Sequence, residues 1–426
     1  MMMSDQLPEG WVKTALEDCV DILDSHRIPI NANDREKRIS GKEPSALYPY
    51  YGATGQVGWI DDFLFDEEII LLGEDGAPFL DADKDKAYLV RGKSWVNNHA
   101  HVLKARSGIA INLFLMHYLN YFDYQGYVTG TTRLKLNQGQ MRRFPIFLPP
   151  LAEQERIVAK IEALFSQLDA GVAALRRIQA ALKRYKASVL KAACEGWLVG
   201  QDPTDEPAEA LLWRLGKAPL VDDDLPALPE GWCWVRVGDI TAPVEKVLPQ
   251  NKYSDQFIYL DISSIDNMKH SIVEPKRYSK SEAPSRARQL VQTNDILFST
   301  VRTYLENVAM VPEIYDGQIA STGFSVLRAG AMVVPKFMFY YILTNSFLEP
   351  LNELQRGTSY PAVRDGDVRI QPFPLPPLGE QEAITSQLEQ RLSVVAEVEA
   401  VVAALLARSA RLRQAILKQA FEGKLV

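Results

Sequence analysis

The sequence has no apolar run near the roughly 18 residues that a membrane-spanning helix needs. Its start, MMMSDQLPEGW, carries neither a basic nor an apolar leader region, so no secretory signal is read there and a cytoplasmic location is expected. Cysteine is scarce. Cys19, Cys194 and Cys233 are odd in number and show no CxxC spacing, which argues against a disulfide frame or a thiolate zinc site and for reduced thiols. Positive charge is short as well: 47 Lys and Arg stand against 54 Asp and Glu, a net charge of −7. That balance weighs against a nucleic-acid partner held by bulk charge alone. With 47% hydrophobic and 24% charged residues over 426 positions, the composition is that of a soluble globular protein of two to four domains.

Catalytic motifs are missing too. VRGKSW (90–95) contains the GKS of a phosphate loop, but the first glycine of that motif would fall on Ala87, and the flanks look like strand. GATGQVG (52–58) spaces its glycines by three and reads as a turn. The acidic run EDGAPFLDADKDK (74–86) has no D/E-x-K triplet and reads as a solvated loop. VNNHAHV (96–102) puts His99 and His101 on one face of an expected strand; with five histidines in all, a hydrogen-bonding role is favoured over a metal site. No catalytic residue, cofactor-binding residue or metal ligand is assigned.

What the sequence does have is repetition. LPPLAEQERI (148–157) returns as LPPLGEQEAI (375–384), identical at eight of ten positions. LPEGW recurs at 7–11 and 228–232, and EIILLGEDGA (68–77) corresponds to DILFSTVRTY (295–304). LFLMHYLNYF (113–122) pairs with KFMFYYILTN (336–345), GTT (130–132) with GTS (357–359), and VLKAACEGWLV (189–199) with ILKQAFEGKLV (416–426). The order is the same in both halves, so the chain is a tandem duplication. The offset drifts from 221 to 227, which puts a few extra residues in the second globular part.

Each copy divides into a globular piece and an arm. The globular pieces have short β-branched and aromatic runs broken by turn residues, the pattern of a mixed α/β domain. Each arm begins after a Pro-Pro pair, where a helix tolerates proline. A heptad seam runs through Ile161, Leu164, Leu168, Gly171, Leu175, Ile178, Leu182, Tyr185, Val189 and Ala192. A weaker one runs through Leu388, Arg391, Val395, Val398, Val402, Leu405, Ser409, Leu412, Ile416 and Gln419. A helix of about 43 residues spans about 65 Å. Acidic residues gather in the first half of each arm and basic residues in the second (six bases and no acid in 170–193, four and none in 400–420). An antiparallel pair sets acid beside base, so an antiparallel coiled coil is expected; two independent helices, each on its own domain, is the alternative.

LPEGW, a variable α/β domain, and PxPPLxEQxxI opening a long helix that ends near EGxLV, all duplicated, resemble the DNA specificity subunit of type I restriction–modification systems over essentially the whole chain. The resemblance implies an α+β fold: two tandem α/β target recognition domains separated by two long helices that form an antiparallel coiled coil, with a pseudo-twofold internal repeat. The expected boundaries are recognition domain 1 at 1–150, arm 1 at 151–197, a linker at 198–227, recognition domain 2 at 228–377 and arm 2 at 378–426. It further implies a non-catalytic chain that reads an asymmetric two-part target in double-stranded DNA, one half-site per domain, with the helices setting the gap. Two modification (methyltransferase) subunits and restriction (translocase/nuclease) subunits are the implied partners. S-adenosylmethionine, ATP and Mg²⁺ belong to them, and no cofactor to this chain.

Base reading favours Arg, Lys, Asn and Gln on rigid supports. In the first copy that points to Thr131, Thr132, Arg133 and Lys135, with Asn97 and Asn98 in reserve. In the second it points to Arg356, Thr358, Ser359 and Tyr360, with Arg302 and Thr303. The competing reading is a protein–protein scaffold of duplicated modules on a coiled coil with no DNA role.

Overall fold

The computed structural model describes residues 7–253 and 255–426. They form two compact units, one running to Ile178 and taking in Val401–Val426, the other covering Gln179–Ala400.

In the first unit, Val12–Ala15 pairs antiparallel with Pro145–Leu148. One four-stranded antiparallel sheet has the order Val20–Ile22, Ala100–Ala105, Ile69–Gly73, Ala87–Val90. The other has the order Gly55–Ile60, Tyr48–Gly52, Lys93–Val96, Phe65–Asp66, with its central pair parallel. The run IILLG is buried throughout, as a strand covered on both faces must be. Helix Asn112–Tyr121 joins it in the core through Phe114, Leu115, Tyr118 and Leu119.

The second unit repeats this order strand for strand. Cys233–Arg236 pairs with Pro372–Leu375. Thr241–Ala242, Phe324–Ala329, Ile296–Ser299 and Val308–Met310 form one sheet. Lys276–Ser279, Gln256–Leu260, Ile319–Ser321 and Ala287–Leu290 form the other, again with a parallel central pair. The duplication read from the sequence is therefore a duplication of fold.

The repeated words meet in space. Each arm helix, Leu151–Cys194 and Leu378–Phe421, starts on its Pro-Pro pair. In the first unit Trp11 donates its indole N–H to Glu153 (2.9 Å), and Gln154, wholly buried, bonds Ile111 N, Ile109 O and Pro149 O. In the second, Trp232 donates to Glu380 (2.8 Å), and Gln381 bonds Val334 N, Met332 O and Pro376 O. LPEGW and LPPL–EQE are thus two halves of one clasp. EGxLV is a helix stop: Gly196 and Gly423 take positive φ, and Trp197 and Lys424 donate back to Ala192 O and Gln419 O, a Schellman ending that only glycine adopts without strain.

The arms run antiparallel. Within the first unit, Ile157, Ile161 and Phe165 from the start of arm 1 share a core with Ile416, Leu417 and Phe421 from the end of arm 2. There Arg413 pairs with Asp169 (3.0 Å) and lies over Phe165. Within the second unit, Val189 and Ala193 from the end of arm 1 share a core with Ile384 and Leu388 from the start of arm 2, and Lys186 pairs with Glu399 (2.9 Å). Acid meets base as the charge pattern demands.

The seams need correction. In arm 2, Leu388, Val395, Val402 and Ile416 are buried, while Arg391, Val398, Leu405 and Leu412 are exposed. In arm 1, Gly171, Ile178 and Tyr185 are exposed. Near its ends each helix packs on a globular core as well as on its partner, which buries Ile157, Phe165 and Ala193 outside the predicted seam. All three cysteines are free and buried, and burial pushes the Cys19 thiol up to about 11.

Candidate nucleic-acid interface

In the first unit four loops converge at one end of the sheets. The two-residue turn after Tyr48–Gly52, the segment 74–76 after Ile69–Gly73, the turn 97–99 and the loop 130–135 are tied by backbone bonds. Asn97 N donates to Tyr51 O, Glu74 N to His99 O, Gly76 N to Leu134 O and Leu136 N to Glu74 O. Between them lies an open hollow of about 490 Å³ lined by Gly52–Thr54, Val57, Asp75, Gly76, Asn97, His99, Thr132 and Arg133. Asp75 is its electrostatic centre, with His99 Nδ1 at 2.7 Å and Arg133 Nη2 at 2.8 Å from the same carboxylate oxygen. Gly130 sits at φ +98°, where any side chain would strike the Arg133 carbonyl.

Beneath the hollow, the strand Ala100–Ala105 is anchored by Asp24. That carboxylate accepts from Val102 N, His101 and Gln138. Burial alone would raise its pKa, but the hydrogen bonds from His101 and Val102 N outweigh that and hold it below the usual carboxylate range. His101 also contacts Leu136 O through Nε2 (3.0 Å), so it ties the end of the 130–136 loop to the strand while Nδ1 holds Asp24.

The second unit builds the same frame from different side chains. Arg302 N donates to Pro361 O and Val363 N to Thr300 O, so residues 300–302 and 357–363 stand where 74–76 and 130–136 stand in the first. This corrects the match of 68–77 with 295–304 by one residue and sets Arg302 against Gly76, not Asp75. The Arg302 guanidinium lies 4.9 Å from the centre of the Tyr360 ring, and its Nη2 donates to Ser359 O (3.1 Å). Arg356 pairs with Asp367 (2.6 Å), which holds that carboxyl below its usual range. The turn 53–54 is replaced by the longer excursion 261–275, which folds into a hairpin of Ile265–Asp266 and Ser271–Ile272. Asn267 braces it by donating to Leu305 O (2.8 Å), and Met268 is left 85% exposed.

The hollow gathers Thr132, Arg133 and Asn97. Thr131 and Asn98 are exposed in the loop and turn that border it, and Lys135 reaches Glu74 (3.5 Å). In the second unit Arg302, Thr358, Ser359 and Tyr360 come together on or beside one loop, while Arg356 closes the base of that loop by exchanging backbone bonds with Ala362. Two expectations are corrected. Thr303 is 2% exposed with its hydroxyl on Asn352 (2.6 Å), so it supports the loop and has no face to offer a base. His99 lies in the turn before the strand Ala100–Ala105, because Asn97 Oδ1 accepts its N–H and bends the chain there. Sequence reasoning missed 53–54, Asp75 and the hairpin 265–272; the drift in offset between the copies marked an insertion without locating it. VRGKSW is a tight connection between the strands Ala87–Val90 and Lys93–Val96. Among the described residues no group of three or more His, Cys, Asp or Glu is placed to hold a metal ion.

The sequence model of the family described as the type I restriction modification DNA specificity domain matches residues 8–180 and 229–399. The type I restriction enzyme EcoDI specificity subunit of Escherichia coli is 25% identical over 433 residues, covering 100% of this chain and 90% of that protein. A putative type I restriction enzyme specificity subunit of Haemophilus influenzae is 31% identical over 149 residues, 35% of this chain and 36% of that one. Among solved structures, the HsdS subunit of Thermoanaerobacter tengcongensis is 42% identical where it aligns, over 42% of this chain and 47% of that chain, with a TM-score of 0.40. The S subunit of a type I restriction–modification system from M. genitalium covers 99% of both chains at 14% identity, also with a TM-score of 0.40.

Proposed function

This chain belongs to the type I restriction–modification DNA specificity family, and from that premise we propose that it is the non-catalytic subunit that directs such a complex to an asymmetric two-part DNA target. The observation that carries this reading is the contrast between the copies. One backbone frame presents Asp75, His99 and Arg133 in the first unit and Arg302 and Tyr360 in the second. Equal frames with unequal side chains fit two readers of two different half-sites. The readers are placed on 1–150 and 228–377, with 198–227 as linker, and the arms 151–197 and 378–426 set the unread gap. Base contacts are assigned to Thr131, Thr132, Arg133, Lys135, Asn97 and Asn98 in the first, and to Arg302, Arg356, Thr358, Ser359 and Tyr360 in the second.

The partners are double-stranded DNA, two modification subunits and the restriction subunits. S-adenosylmethionine, ATP and Mg²⁺ act there, and the chain itself holds no cofactor. Exposed apolar residues on arm 2 (Val394, Val398, Val401, Leu405, Leu412) support docking of the modification subunits on its outer face, since a stripe of this kind marks a protein-binding surface. With a net charge of −7, much of the phosphate contact falls to those partners. A cytoplasmic location accords with this role; among the described residues no helix is long and apolar enough to cross a membrane. The test is the methylation pattern of DNA from cells carrying this chain and its neighbouring methyltransferase, against cells lacking the chain. A two-part asymmetric motif that depends on the chain is expected. If no motif depends on it, the scaffold reading takes over.

A further inference from the structure

We infer that Arg302 reads a guanine in the half-site of the second recognition domain, with Tyr360 as the plate that fixes its guanidinium; this rests on the DNA-reading function proposed above. The backbone position is the starting point. Arg302 sits at φ +51°, and the residue in the same place of the first copy, Gly76, at φ +70°. Glycine adopts that conformation freely and arginine does not. A non-glycine residue held there is a strained position, and such positions cluster at functional sites. The side chain must therefore supply something that glycine cannot.

Its surroundings say what. Arg133 and Arg356 each spend their charge on a carboxylate, at 2.8 and 2.6 Å, whereas Arg302 has no ion-pair partner among the described residues. Its Nε is buried without a hydrogen-bond partner, and Nη2 reaches only the Ser359 carbonyl. The guanidinium is instead stacked 4.9 Å from the Tyr360 ring centre, and that tyrosine is 73% exposed. A stacked guanidinium keeps its plane and loses less freedom on binding. A fixed plane of parallel N–H donors matches the two acceptors, O6 and N7, that guanine alone presents side by side in the major groove; adenine offers one acceptor beside a donor and is rejected.

The experiment uses the full complex with its methyltransferase subunits and S-adenosylmethionine. It measures methylation rates on duplexes carrying each of the four bases at each position of the second half-site. Arg302→Gly installs the residue of the first copy, so the backbone is relieved and the chain folds with a thermal midpoint no lower than the parent. Discrimination for guanine at one position of the second half-site should fall roughly 5- to 150-fold, with the first half-site unchanged. Tyr360→Phe should keep the preference and Tyr360→Ala should lose part of it. A uniform drop in rate with every preference intact would make Arg302 a phosphate anchor and overturn the inference, as would a parent half-site without guanine. Absence of any sequence preference in the parent complex would instead overturn the function itself.

Discussion

Gln381 is the residue whose loss the structure predicts most sharply. Its side chain is fully buried and serves three backbone groups at once: Val334 N at 2.7 Å, Met332 O at 3.0 Å and Pro376 O at 2.9 Å. Gln381→Leu keeps the volume and takes away all three partners. A buried backbone group left unsatisfied costs about 1–3 kcal/mol. Val334 is only half-buried, so water can serve its N–H in part, and about 3–5 kcal/mol is expected for the set. For a unit of this size each kcal/mol moves the midpoint by about 2–4 °C, which places the shift at roughly 6–20 °C. Calorimetry on the full chain reads it directly. Glu382→Leu, one residue on and exposed, is the control and should stay within about 0.5 kcal/mol of the parent. Gln154→Leu against Glu155→Leu repeats the comparison in the first unit. If Gln381→Leu costs under about 1 kcal/mol, the clasp does not hold arm to domain and the meaning given to the repeated EQE is wrong.

Three further outcomes follow from the geometry. Burial, with Asp205 adding to it, raises the pKa of Glu380 despite the indole N–H of Trp232. The folded chain therefore holds that proton more tightly, and the stability it lends is full below the ordinary glutamate value of about 4.3 and lost as pH rises through the raised one. Glu380→Gln should gain on the parent between about pH 4 and pH 7, and a flat difference in unfolding midpoints across that range would refute the assignment. At the exposed arm pair, Asp169→Asn should cost no more than about 1 kcal/mol. Arg413→Ala should cost more, because its guanidinium also covers Phe165 at 4.1 Å; equal losses in urea unfolding would leave the stacking without weight. Asp75→Asn removes the carboxylate that holds both Arg133 and His99. It should alter methylation preferences in the first half-site alone, and a change confined to the second would place the hollow outside the reading surface.

The sequence made the frame legible because the frame is built from local rules used twice. A buried apolar run such as IILLG, a Pro-Pro pair before a helix and a glycine after one each carry their structural meaning within a few residues. The seams were only half legible: a heptad rule assumes that the partner helix is the sole neighbour, and near their ends Leu151–Cys194 and Leu378–Phe421 also pack on globular cores. The proposed reading surface was least legible, since its shape comes from bonds between distant segments. Nothing near position 302 announces that its N–H will be fixed by Pro361 O, or that Thr303 beside it will be turned inward onto Asn352.

The words that stand out by repetition, LPEGW, LPPL–EQE and EGxLV, bind the chain to itself. Trp11 meets Glu153, Trp232 meets Glu380, and both glutamines stitch arm to domain. Two copies with the same structural task keep the same residues for it. Where the copies part, at Gly76 against Arg302 and at Arg133 against Tyr360, the backbone bonds are the same and the side chains are not. The shared backbone bonds hold the frame in both copies, and the unlike side chains set on it support the proposal that these positions read what differs between the two half-sites. The repeats locate the scaffold, and the proposed base contacts fall where the repeat fails.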